Sequence, residues 1–189
     1  MAVVERNLRM TVEDFDQFVD LPENADKLFE FIGGEAVEVP SNAYSSHIAA
    51  RILYWLMAFV LPNDLGFITG EGGGYRVYGD RYAPDVAFLR KGKPLSKHGF
   101  NPDPPDLAIE VLSPGYRPSE MRMKLVNYFN VGTHFLIVDY ETKLVEVYMP
   151  GQKAVVLTEK DTLDGGAVLP GFTLAVKVIF PSEQEHHSE

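Results

Sequence analysis

Residues 106–112 read DLAIEVL, a nearly unbroken apolar run with one carboxylate, Glu110, inside it. Alternating patterns mark strands with one wet face. A continuous apolar run marks a strand covered on both faces, as in sheets with helices packed on either side. Ser113-Pro114-Gly115 ends the run, because proline cannot donate to a ladder and Pro-Gly favours a turn. An acidic side chain in such a strand is costly to desolvate unless a cation or a dense hydrogen-bond set stabilises it. Glu110 therefore needs an explanation.

Downstream of this strand, Ser119 to Asn130 has helical character and Gly132 suits the residue just past a helix end. Phe135 to Val138 reads as another buried strand, and Lys143 to Tyr148 pairs with it across Glu141-Thr142. Segments Val155 to Thr158 and Leu174 to Ile179 close the pattern. Upstream, Arg81 to Leu89 reads as a strand containing YAPDVAFL (82–89), in which Asp85 is the odd carboxylate. Lys91 to Pro105 is a polar, proline-containing loop. Phe67 to Tyr78 reads as one strand bent or bulged at Gly72-Gly73-Gly74.

Before it, Ile48, Ile52, Trp55, Leu56 and Phe59 recur at helical spacing. They predict a long helix capped by Ser45 or Ser46 and stopped at Pro62. KLFEFI and EAVEVP flank Gly33-Gly34, a hairpin signal because tight primed turns require positive φ. Ser41 and Asn42 end its second strand, and Thr11 with Asp14 predicts a capping box for a helix from Val12 to about Asp20. The expected fold is α/β (α+β): a mixed central β-sheet flanked by helices, preceded by an N-terminal helix and hairpin.

Composition bounds the function. A chain of 189 residues with 46% hydrophobic content fits one domain over 1–189 with a real core. Its expected ordered part is about 10–180, and residues 181–189, which include His186 and His187, read as a flexible tail. No apolar run approaches the ~20 residues that span a bilayer, and MAVVERNLRM lacks a signal-peptide core, so a cytoplasmic protein with no membrane partner is expected. The absence of cysteine excludes disulfides, thiolate zinc sites and Cys nucleophiles. A net charge of −10 argues against broad polyanion binding, yet Arg76 to Lys124 holds nine basic and six acidic residues. That stretch is the expected nucleic-acid-facing part. The glycine run at 72–74 lacks the Lys-Ser/Thr of a phosphate-cradling loop.

Asp85 and Glu110 sit in successive apolar strands. If those strands are neighbours, both carboxylates can converge on a hard divalent cation such as Mg²⁺ or Mn²⁺. The competing reading has one carboxylate capping a loop and the other paired with an arginine, and spacing alone leaves the two even. Lys124, taken alone, reads as a solvated helix lysine. Tyr128, one turn on and so on the same face, reads as a core aromatic or as support for Lys124. A Glu after a hairpin turn, such as Glu35, is ordinarily exposed, and a histidine at a helix start, such as His47, ordinarily makes structural hydrogen bonds.

The order Pro84-Asp85, then Glu110-Val111-Leu112, then Lys124 resembles the PD-(D/E)XK motif of restriction-endonuclease-like enzymes. More narrowly, TVEDF, FEFIGGE, APDVAFL, PPDLAIEVLSP, MKLVNYFNVG and DTLDGGAVLPGF resemble the Uma-two family of bacterial endonuclease-like proteins, from about Met10 to Phe180. The resemblance implies a restriction-endonuclease-like core and Mg²⁺-dependent (or Mn²⁺-dependent) hydrolysis of phosphodiester bonds in DNA. It implies that Asp85 and Glu110 hold the metal and that Lys124 is catalytic. It also brings Glu35 forward as an additional ligand or base, and His47 and Glu71 as supporting residues. Leu112 stands where the motif's lysine is usual, and Lys124 matches the lysine relocated to the following helix. A non-catalytic nucleic-acid-binding or regulatory protein on the same fold is the alternative reading. An open sheet edge would favour a two-fold homodimer.

Overall fold

The structure is a computed structural model describing residues 9–39 and 42–181. Helix α1 (Val12–Val19) opens with the expected capping box, Thr11 accepting from the Asp14 N–H and the Asp14 carboxylate from that of Thr11. Strands β1 (Phe29–Ile32) and β2 (Glu35–Glu38) form the hairpin around Gly33 and Gly34, both at positive φ. Helix α2 (Ala43–Val60) begins earlier than expected. Asn42, not Ser45 or Ser46, caps it by accepting the Tyr44 and Ser45 N–H groups, as asparagine's short amide does well.

The next four strands correct two expectations. Phe67 to Tyr78 is not one bulged strand but β3 (Gly66–Gly70) and β4 (Tyr75–Val77), and Arg81 to Leu89 is β5 (Asp80–Tyr82) and β6 (Val86–Arg90). Each pair is split between two sheets. The chain crosses from one sheet to the other at Gly72–Gly74 and returns at Ala83-Pro84-Asp85. The glycines are needed where the crossing is tight: a Cβ on Gly74 would lie 2.5 Å from the Phe100 ring, and one on Gly73 2.7 Å from Thr69. Pro84, lacking an N–H, suits the gap between ladders.

Then follow β7 (Leu107–Val111), α3 (Pro118–Asn130), β8 (His134–Asp139), β9 (Leu144–Tyr148), β10 (Val155–Leu157), β11 (Thr162–Asp164) and β12 (Thr173–Ala175). Pro118 takes the first position of α3, where its fixed φ is an advantage, and Gly132 leaves the helix at φ 77°. β11, within DTLDGG, was not anticipated; it pairs only with β12.

The large sheet has the order β10-β9-β8-β7-β6-β3, and the small sheet β2-β1-β5-β4. All neighbours in the large sheet are antiparallel except β7 and β8, the parallel pair joined through α3. Strict alternation along β6, β7 and β8 sorts their side chains into two cores. Val86, Ile109, Val111 and Leu136 face α2, packing with Ile48, Ile52 and Leu56. Ala87, Ala108, Phe135 and Ile137 face the other way, with Tyr128 of α3 and Ile32, Tyr75 and Tyr82 of the small sheet. The result is a mixed sheet covered on both faces. No helix among the described residues is long and apolar enough to cross a membrane. His186 and His187, like Ser41, lie outside the described residues.

Candidate active site

Glu110 lies in the most enclosed strand of the fold and is 7% exposed. By alternation it points to the same face as Ala108, toward α3 and the small sheet. Asp85 immediately precedes β6. The antiparallel register pairs Val86 with Ile109, so one step further Asp85 stands opposite Glu110, on the same face of the sheet. Its Oδ2 accepts the Val111 N–H at 2.6 Å, which fixes one carboxylate oxygen and leaves the other without a hydrogen bond among the described residues.

Lys124 is not a solvated helix lysine. It is 6% exposed, and its Nζ lies 2.9 Å from Glu110 Oε1 and 2.7 Å from Glu30 Oε2. The Tyr82 ring lies 5.6 Å from it. Three elements supply this trio: β7 provides Glu110, α3 Lys124 and β1 Glu30. Glu30 also accepts the Ala83 N–H at 2.8 Å, so it caps the crossover two residues before Asp85. Sequence reasoning missed Glu30. The signal was available: in KLFEFI, Glu30 is the sole acidic residue of an apolar strand, the same anomaly that singled out Glu110.

Behind the trio, Asp80 accepts from the Gly33 N–H, the Tyr82 hydroxyl and the Asn127 amide. This buried set pins α3 to the small sheet one turn from Lys124. Tyr128 is fully buried, stacked on Phe135 at 4.8 Å and tilted against Tyr82. Its hydroxyl is the one buried side-chain polar atom without a hydrogen-bond partner among the described residues.

Burial dominates the electrostatics. It pushes the Asp85 carboxyl up to about 6, against the Val111 N–H and the Lys124 charge. It pushes Glu110 up to about 8, with Lys124 opposing and the Glu30 and Asp85 charges adding to the rise. For Lys124 burial favours deprotonation, but Glu110 and Glu30 more than offset it and hold the ammonium raised. The site therefore keeps a fixed positive charge among carboxylates that resist ionising together.

These groups line one cleft of about 490 Å³, with Glu71, Leu112, Tyr116 and Arg117 at its walls. Glu71 is close enough for its charge to raise Asp85. Glu35 and His47 are exposed and do not line the cleft. Most cations of the Arg76 to Lys124 stretch are engaged in ion pairs. Arg81 binds Asp16, Arg90 and Lys93 bind Asp106, and Arg117 binds Glu120. Among the described residues, no group of three or more carboxylate or imidazole side chains is arranged to hold a metal.

A large mixed sheet between helices, with paired acidic residues on its central strands beside a buried helix lysine, defines a restriction-endonuclease-like architecture. The fold is shared with a crystal structure described as "a putative nuclease belonging to DUF820" from Anabaena variabilis. The TM-score is 0.77 at 21% identity, covering 90% of this chain and 97% of that one. Residues 15–177 match the Uma2 family, described as "Putative restriction endonuclease", and the chain belongs to that family. No curated protein matches it.

Proposed function

We propose that the protein is a metal-dependent endonuclease that hydrolyses phosphodiester bonds in DNA, with Asp85, Glu110 and Lys124 as its catalytic residues. The observation that carries the reading is the buried trio: Lys124 held between Glu30 and Glu110, beside Asp85 in the same cleft.

The donor set fits a hard divalent cation. Mg²⁺ and Mn²⁺ take oxygen ligands, and Mg²⁺ keeps several waters while using only one or two carboxylates. Asp85 and Glu110 supply two from directly opposed positions, and each has one oxygen without a hydrogen bond among the described residues. When bound, such a cation polarises a phosphoryl oxygen and lowers the pKa of a water. The chain's own part is positioning and charge. The Val111 N–H orients Asp85. Lys124 stays protonated and offers Nζ to the charge that develops on the phosphoryl group. Glu30 keeps Lys124 from swinging out of the cleft, while the Leu112 and Met121 walls restrict water. Leu112 leaves the usual place of the motif lysine empty, and Lys124 reaches the same region from α3. Glu71 is near enough to tune Asp85, whereas Glu35 and His47 have no part in this reading.

The test is plasmid nicking by the full chain with Mg²⁺ or Mn²⁺, compared with Asp85→Asn and Glu110→Gln. Metal-dependent nicking lost in both folded variants is the expected result. Nucleic-acid binding without turnover under either metal would favour the non-catalytic alternative.

A further inference from the structure

The walls of the cleft are unusual for an enzyme that holds a long polyanion. Six carboxylates line it: Glu30, Glu38, Glu71, Asp85, Glu110 and Glu120. Among the described residues only Arg117 and Lys124 oppose them, and Lys124 is buried and already paired. Duplex binding relies on a track of Lys and Arg that neutralises successive phosphates. The cleft has no such track, and its volume lies in the range that encloses a group the size of a small molecule.

What the rim does present is an aromatic ring. After β7 the chain turns at Ser113-Pro114-Gly115, the turn being closed by the Tyr116 N–H donating to the Ser113 carbonyl at 3.1 Å. Tyr116 is left 45% exposed while lining the same cleft as Asp85 and Glu110. Arg117 follows, with 66% of its side chain exposed and Glu120 as its partner. A base can stack on a ring whatever its identity, and single-strand binders add such stacking to their backbone contacts, at about 1–3 kcal/mol per base. Resting on the endonuclease reading, we infer that the site takes single-stranded DNA, one base stacking on Tyr116 with the adjoining phosphate beside Arg117.

The experiment uses the full chain in the cleavage-deficient Glu110→Gln background, without added divalent metal, and fluorescein-labelled oligonucleotides read by anisotropy. The same sequence is offered as a single strand and as a duplex. The single strand binds more tightly, with a log–log salt slope of about −1 rather than the −5 or steeper of a protein contacting six or more phosphates. Tyr116→Ala weakens single-strand binding about 5- to 150-fold, whereas Tyr116→Phe and Tyr116→Trp retain it. Equal or tighter duplex binding overturns the inference. So does an unchanged Tyr116→Ala, or equal losses in the alanine and phenylalanine variants. If the unsubstituted chain cleaves a linear duplex faster than the matching single strand while those results hold, only the strand preference falls. If it neither binds nor cleaves any DNA, the endonuclease reading falls with it.

Discussion

Replacing Lys124 with methionine keeps most of the side-chain volume and removes the one cation between Glu30 and Glu110. Both carboxylates remain nearly inaccessible to water, at 4% and 7% exposure, and each loses a contact of 2.7–2.9 Å. Breaking a buried ion pair by deleting one partner costs about 3–5 kcal/mol. For a domain of this size each kcal/mol shifts the melting temperature by about 2–4 °C, so a loss of roughly 6–20 °C is expected near neutral pH. The pH dependence is the sharper signature. Glu110 already has a raised pKa in the native protein. An acid whose folded pKa exceeds its unfolded value contributes stability that declines as pH rises between the two. In Lys124→Met one further buried carboxyl must hold its proton to stay in place. Each such proton steepens the decline by about 1.4 kcal/mol per pH unit. The deficit relative to the unsubstituted protein is therefore small at pH 5 and largest at pH 8. Urea denaturation at pH 5, 6.5 and 8 measures it. A deficit that is the same at pH 5 and pH 8, or that stays below about 1 kcal/mol at pH 8, refutes the account of Lys124 as the counterion of a buried acidic pair.

Glu110→Gln copies the protonated acid that burial favours, so it melts within a few degrees of the unsubstituted protein, yet it loses nicking on the order of 10³-fold together with Mn²⁺ binding by calorimetry. On the proposed reading, divalent-cation affinity is expected to rise with pH, because burial raises the pKa of both Asp85 and Glu110. Each proton released per cation gives about tenfold tighter binding per pH unit; calorimetry in buffers of different ionisation enthalpy counts the protons, and a flat profile would contradict the reading. Tyr128→Phe deletes a buried hydroxyl with no partner among the described residues and is neutral to stabilising by about 1–3 kcal/mol in thermal melts. Gly74→Ala forces a methyl against the Phe100 ring and lowers the melting temperature by several degrees, by roughly 1–3 kcal/mol of overpacking.

Much of this fold was legible because its cues are local. Gly33-Gly34 announced the hairpin, Thr11 with Asp14 the first helix, and the apolar run 107–112 the most enclosed strand. The two misread strands failed for a non-local reason. Phe67 to Tyr78 and Arg81 to Leu89 look continuous in composition, but the chain changes sheets within each, and hydrophobicity does not reveal which sheet a strand joins. The acidic pair could be picked out because a carboxylate in an apolar strand is expensive in any context. That Lys124 is buried was not readable, since helix α3 has a polar composition around it and only its docking onto the small sheet encloses the ammonium. The resemblance points instead to Glu35, across the hairpin turn from Glu30, and that side chain is exposed.

The Glu30 bond to the Ala83 N–H has an architectural consequence. The cleft is neither carved into one sheet nor built from one loop; it exists where two separately hydrogen-bonded sheets meet beside α3, with Glu30 of the small sheet holding the crossover at Ala83. A chain that has formed only its larger sheet carries Asp85, Glu110 and Lys124 but lacks Glu30, the second carboxylate on the ammonium. On the proposed reading, the complete site requires both sheets and α3 to be in place.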